Sequence, residues 1–313
     1  MTSTHKPTAV SHLLASHVPG QERLRVLSAS GQLGFGIVQD SLARGLQRKP
    51  HFIGCDMGSI DPGPFYLGSG QMAAPRDMVR RDLEMVLKAA RQLNVPLIIG
   101  SAGTAGAKPH LEDTLSLLKE VAEANGLSFS VAIVLSDVPR NLLIQAIQHG
   151  RLKSLDESGA SLNLPLPNEE QVMSASHIVA QCGTHTFMKA LSQKPDVLIA
   201  GRSCDTAIFA ALPQMLGYDA GLSLHMAKII ECTSLCCTPG GRDAILAELG
   251  EFDFILESMN PAAHATPASV AAHALYEQSN PWIVEEPEGT LHLKQASYLA
   301  LDSHRTQVSG AQF

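Results

Sequence analysis

The chain has 313 residues, 45% hydrophobic and 17% charged, enough apolar material for a real core and too much for global disorder. Lys and Arg number 23 against 30 Asp and Glu, a net charge of −7, so no basic excess exists to neutralise a phosphate backbone and no nucleic-acid partner is expected. No apolar run reaches the roughly 18 residues of a membrane span, the polar start lacks a signal-peptide core, and Ala311-Gln312-Phe313 carries no targeting address; a cytoplasmic protein with no membrane partner is expected.

Residues 1–22 read as a flexible leader. The apolar run Leu24–Leu27, the glycine segment Gly31–Gly36 and an amphipathic stretch to Leu46 read as strand, turn and helix. His51–Asp56 is a strand ending in an acid, followed by a glycine- and proline-rich loop from Met57 to Gly70. A helix is predicted from about Pro75 to Leu93, since a proline and Asp77 both suit a first turn. Val95–Gly100 is the third strand, Ser101–Gly106 its loop, and 110–125 a helix. Phe129–Leu135 is the fourth strand and Asn141–His149 a helix.

The polar stretch Lys153–Glu170 reads as a linker or excursion. Asp196–Ala200 then resumes the pattern, with a loop at Gly201–Asp205 and a helix over Thr206–Leu216. Leu222–Cys236 is predicted as one helix, Phe252–Leu256 as a short strand, and Thr266 as the N-cap of a helix with Pro267 at its first position. The remainder, 281–313, is mixed with short β-like pieces. Continuous apolar strands alternating with helices predict a three-layer α/β fold, with a mostly parallel sheet and helices on both faces. The expected division is an N-terminal α/β domain over 23–170 and a second α/β segment over 171–313 packed against it. Ligands in such folds bind beyond the carboxyl ends of the strands, where the glycine loops fall here.

Five stretches are candidates for chemistry. Gly31–Gly36 has Gly-x-x-Gly-x-Gly in place of the dinucleotide fingerprint, although Asp56 ends the next strand where a ribose-binding acid would sit. The loop Asp56–Gly70 concentrates Asp56, Ser59, Asp61, Gly63 and Tyr66 among glycines and prolines; a carboxylate there suits a general base and the phenol an oxyanion donor. The alternative is a rigid turn whose side chains satisfy themselves. Ser101, Gly103 and Thr104 lie in a small-residue loop suited to an anion, or to close packing. Arg202 is the cation of Gly201–Thr206 and can fork a carboxylate, while Asp205 and Thr206 border a helix start, with Thr206 read as its cap. His225, Lys228 and Glu231 or Cys232 recur at helical spacing, as a proton-handling face or a solvated one.

No nucleophile elbow and no metal-ligand spacing is found; His110, Glu112 and Asp113 read as a helix start. Cys182 with His185 is a weak nucleophile pattern. The six cysteines include no Cys-x-x-Cys and read as free thiols, with Cys55 and Cys204 buried.

Taken together, Gly58–Gly68, Gly100–Gly106, Gly201–Ala207 and Lys228–Cys232 resemble the acyclic terpene utilisation AtuA family. Asn260-Pro261 and the run Thr266-Pro267, Val270-Ala271, His273, Leu275-Tyr276 continue the resemblance, which extends from about Leu24 to the end. The family's name comes from catabolism of citronellol- and geraniol-type terpenes through branched acyl-CoA thioesters. Its members run longer, so the resemblance implies a short version. It carries over no residue roles and no cofactor.

The expectation is an enzyme or enzyme subunit, of lyase or isomerase type, that hydrates, dehydrates or isomerises an unsaturated or hydroxylated carboxylate or acyl-CoA by removing a proton next to a carbonyl. Asp56 or Asp61 takes the proton and Tyr66 holds the oxyanion. Ser59, Gly63, Ser101, Gly103, Thr104, Arg202, Asp205 and His225 bind substrate, and Lys228 or Glu231 returns the proton. The alternatives are a non-catalytic partner of a companion subunit and a dinucleotide-dependent enzyme. A homo-oligomer is expected, and the cofactor is left open.

Overall fold

The computed structural model describes residues 7–154, 165–276, 278 and 280–313. In chain order the elements are α1 (Ala9–Ser16), β1 (Leu24–Ser30), α2 (Gln39–Gln47), β2 (Phe52–Gly58), α3 (Phe65–Ser69), α4 (Arg76–Leu93), β3 (Leu97–Thr104), α5 (Lys108–Ala124), β4 (Val131–Val134) and α6 (Arg140–Gln148). They continue with α7 (Glu169–Ser174), α8 (Thr184–Leu191), β5 (Val197–Ala200), α9 (Asp205–Met215) and α10 (Ala220–Ile230). The last group is β6 (Ile245–Leu249), β7 (Asp253–Ser258), α11 (Pro267–Ala274), β8 (Ile283–Glu286), β9 (Gly289–His292), β10 (Ser297–Ala300) and β11 (Arg305–Ser309). No described helix is long and apolar enough to cross a membrane.

The main sheet has nine strands in the order β10-β11-β7-β6-β1-β2-β3-β5-β4. From β1 to β4 the neighbours run parallel, and from β1 outward through β6, β7, β11 and β10 they run antiparallel. Strand β5 enters between β3 and β4, so the sheet joins strands from both halves of the chain. A separate hairpin, β8–β9, lies outside it.

Side-chain alternation explains why the parallel strands are apolar throughout. Val26, Phe52, Ile98 and Leu198 point into one core with α1, α8, α9 and α10. Their chain neighbours Leu27, Ile53, Ile99 and Ile199 point into another with α4 and α5. Each such buried side chain stabilises the fold by about 1.5–3 kcal/mol, and together the two cores make the three layers.

Several boundaries differ from the sequence reading. The stretch expected as a flexible leader holds α1, with Ala9, Val10 and Leu13 buried and Thr8 Oγ1 accepting the Ser11 N–H as N-cap. Its three apolar residues cover one helical face, which is what seats it. Residues 155–164 of the expected linker lie outside the described residues; its end opens α7 through a capping box at Asn168. The single helix expected over Leu222–Cys236 ends at Ile230, and Thr233, at φ +56°, begins a 3-10 turn to Cys236. Thr266 and Pro267 hold their expected places at the start of α11.

Candidate functional site

The parallel strands end along one edge, and the loops beyond them enclose a cavity of about 360 Å³. β1 contributes Ser30, Gly31 and Gln32; β2 and its loop contribute Asp56, Gly58, Ser59, Ile60 and Asp61; and β5 contributes Arg202 and Asp205. Because β6 runs antiparallel to β1, the segment before it returns to this same edge and adds Thr233, Leu235 and Arg242.

Asp56 is buried at the floor. Burial first, then the charge of Asp205, push its carboxyl well above the usual range, against the Gly58 N–H and the Arg202 guanidinium. The Gly58 N–H donates to Asp56 Oδ1 at 3.1 Å. A carboxyl whose pKa is raised holds a proton more strongly than an ordinary one, so Asp56 is suited both to take a proton and to give it back. Arg202 is also buried, and close backbone contact fixes it. Its N–H donates to Gly106 O at 2.9 Å, and a Cβ on Gly106 would lie 2.1 Å from Arg202 N. Only glycine fits there, and its φ of +73° favours glycine as well.

The anion loop expected at Ser101–Gly106 performs this packing and does not line the cavity. Ser101 Oγ lies 3.2 Å from Ser203 Oγ, Gly103 N–H meets Met57 Sδ, and Thr104 Oγ1 accepts the Ala73 N–H at 3.0 Å. Thr104 O accepts from the Ser59 N–H at 3.2 Å and lies 3.5 Å from Arg202 Nη1, so the loop buttresses the site from behind.

Tyr66 is also outside the cavity lining: it sits in α3, its carbonyl faces His110 Nε2 at 2.9 Å and its ring packs on Phe65. Gly63 is exposed on the approach to α3. Asp61 and Ser59 do line the cavity, Asp61 at its exposed mouth.

The helical face of His225, Lys228 and Glu231 divides. His225 faces the antiparallel half, 3.1 Å from Tyr298 Oη and edge-on to Phe254, and burial lowers its pKa to about 3. It is a core histidine. The reason is the width of the face: α10 is buried on all sides, so three residues along it meet different neighbours. Lys228 Nζ donates to Glu231 Oε1 at 2.6 Å in a buried pair, with Nζ 5.9 Å from the Tyr276 ring centroid. The pair adjoins the cavity through Cys232 and Tyr276, which line it.

Gln181, Thr233, Arg242 and Tyr276 were not singled out by the sequence reading as site residues; only Tyr276, within the Thr266–Tyr276 motif, carried a signal. Glu286 was missed as well. Burial raises its carboxyl to about 7, and its Oε2 accepts from Thr206 Oγ1 at 3.0 Å. Thr206 therefore does not cap α9, whose N-cap is Cys204. Glu288 accepts the His185 N–H at 2.8 Å. The β8–β9 hairpin thus clamps the first turns of α8 and α9, beside Gln181 and Asp205.

Two other patterns resolve differently from their sequence signal. The N–H groups of Gly34 and Gly36 donate to Asp82 Oδ2 at 3.0 and 2.9 Å. The chain's own buried carboxylate fills the place a pyrophosphate would take. Cys182 Sγ lies 3.4 Å from Ser136 Oγ, and His185 is exposed on α8, so no Cys–His pair forms between them. All six cysteines are free.

His17, Glu22 and His51 place ligand atoms within 4.8 Å of one another at the opposite end of the strands. Their surroundings do not suit a metal. His51 Nδ1 accepts the Arg25 N–H at 2.8 Å, and the Arg25 guanidinium places Nη2 3.1 Å from Nε2, the atom that faces Glu22, so a positive charge stands where a cation would bind.

Comparison with curated proteins gives no match, and comparison with solved structures gives none. The model of the acyclic terpene utilisation family protein AtuA matches residues 74–241, which include Gly100–Gly106, Arg202, Asp205, Lys228 and Glu231. With more than half of its 313 residues matched, the chain belongs to the acyclic terpene utilisation AtuA family.

Proposed function

We propose that the cavity binds a small carboxylate or acyl compound and moves a proton next to its carbonyl, the step shared by hydration, dehydration and isomerisation. The observation that carries this is the pairing of buried Asp56, its pKa raised, with buried Arg202 on one cavity floor. Arg202 supplies a fixed, planar pair of donors for a carboxylate or enolate oxygen. Asp56 exchanges the proton, and Asp205 tunes it by keeping its pKa high. Asp61, at the mouth, is a second proton acceptor within the same lining. Lys228 and Glu231 stand behind Cys232 and Tyr276 and set the field of the floor; Glu231 adds to the upward push on Asp56.

The exchange step is testable without knowing the natural substrate. Hexanoate and its N-acetylcysteamine thioester, with their 2,3-unsaturated and 3-hydroxy analogues, are incubated with the protein in D2O. Deuterium at C2 is read by NMR. Incorporation by the wild type and its loss in Asp56→Asn and Arg202→Ala support the reading. Equal incorporation by wild type and both variants overturns it.

A further inference from the structure

The cavity has a second positive end that the chemistry proposed above does not use. Arg242 lines it with an exposed side chain, and its Nη1 donates to the Phe35 carbonyl at 2.6 Å, which pins the guanidinium to the rim. No described carboxylate pairs with it. Arg202, at the other end, follows β5. Between β5 and β6 lie four strand spacings, or about 19 Å at the backbone before the two side chains reach inward.

The exposed part of the lining includes a group of large apolar side chains. Phe35, Ile60, Leu235 and Tyr276 all line the cavity and are exposed, Ile60 by 73%. Large apolar side chains grouped around a cleft mark a place where apolar ligand surface is covered.

From this we infer that the ligand is two-ended: an acyl group or carboxylate at Arg202, a hydrocarbon middle across Phe35, Ile60, Leu235 and Tyr276, and a second anion, carboxylate or phosphate, at Arg242. The inference rests on the reading of Arg202 as the inner oxyanion anchor. It adds a length requirement, because the two charges must reach both arginines at once.

Isothermal titration calorimetry tests it with three ligand series of matched length, C4 to C10: α,ω-dicarboxylates, monocarboxylates, and ω-phosphonooxy carboxylates. The expected result is a length optimum in the doubly charged series, with about tenfold tighter binding than the monocarboxylate of that length, the scale of one charge-assisted contact at a wet rim. Whichever doubly charged series binds more tightly identifies the outer anion. Arg242→Ala removes the preference and leaves monocarboxylate affinity unchanged, and Arg242→Lys restores part of it. A melting curve matching wild type establishes that the variants are folded. If monocarboxylates bind and Arg242→Ala leaves the preference unaltered, or no preference exists at any length, the two-ended ligand is wrong while the inner site stands. If Arg202→Ala binds monocarboxylates as well as wild type does, it is the inner anchor that fails.

Discussion

The two ends of the same parallel strands carry polar clusters of opposite character. At the amino end, Asp196 stands just before β5 and spends its oxygens on the chain itself. Oδ1 takes the Ala9 N–H at 2.9 Å and Arg91 Nη1 at 2.8 Å, and Oδ2 takes Ser130 N–H and Oγ, both at 2.9 Å. Nearby, His17 Nε2 meets Tyr218 Oη at 2.7 Å, and His51 is held by the Arg25 N–H. At the carboxyl end, Asp56, Asp205 and Arg202 converge on open space. One end turns polar groups into staples between elements; the other sets ionisable groups beside a cavity, the arrangement on which the proposed function rests.

The sharpest way to break this contrast is to cut the staple. Asp196→Ala leaves Arg91 buried without its carboxylate and unpins α1 from β4 and β5. The expected loss is about 3–5 kcal/mol in urea unfolding, with deuterium exchange unchanged in the fraction that remains folded. A smaller loss would mean that the amino end is not the stabilising one.

The opposite change is expected at the floor. Asp56 has a folded pKa above its unfolded value, so its contribution to stability is full at low pH and is lost as pH rises through the folded pKa. Asp56→Asn therefore abolishes exchange yet melts at a higher temperature than wild type at pH 9, with the difference vanishing near pH 4. A variant less stable than wild type at pH 9 would place Asp56 among the staples.

Acid sharpens the comparison from the other side. Burial, then the Arg25 charge, lower His51 to about 4, and burial lowers His17. Below about 6.5 the unfolded chain takes up protons that the folded rings refuse. Stability should therefore fall between pH 6.5 and 4. His51→Asn should flatten that slope when melting temperature is followed against pH.

The smallest effect is expected at Glu22, which is half-exposed beside both rings. Glu22→Gln should change stability by less than about 1 kcal/mol. Titrated zinc should not raise the melting temperature of the wild type, since the Arg25 guanidinium stands beside His51 Nε2, the atom a metal would need. A zinc-dependent rise lost in His51→Asn would contradict that.

Much of the edge was legible before any coordinates. Asp56, Ser59, Asp61, Arg202 and Asp205, which line the cavity, stand out in the sequence because each lies at or within a few residues of the end of an apolar strand, and strand ends are local features. Arg242 was missed because its segment reaches the edge only through the antiparallel return of β6, a long-range pairing. Tyr66 and His225 were placed at the site because they are chemically apt and lie near it in sequence. α3 turns the phenol toward Phe65, and α10, buried on every side, turns the imidazole into the antiparallel half.

The sequence alone determined the layered α/β architecture and the edge where the glycine loops fall. Apolar runs of strand length must be buried on both faces, and glycine loops must follow them. Tertiary structure alone decided which loops face the cavity and which brace it. Ser101–Thr104 and Ser30–Gln32 are similar in composition, yet one packs behind Arg202 and the other lines the opening. Composition states what a loop can accommodate, whereas strand order and the neighbour across the edge determine what comes to occupy that space: a ligand, or another part of the same chain.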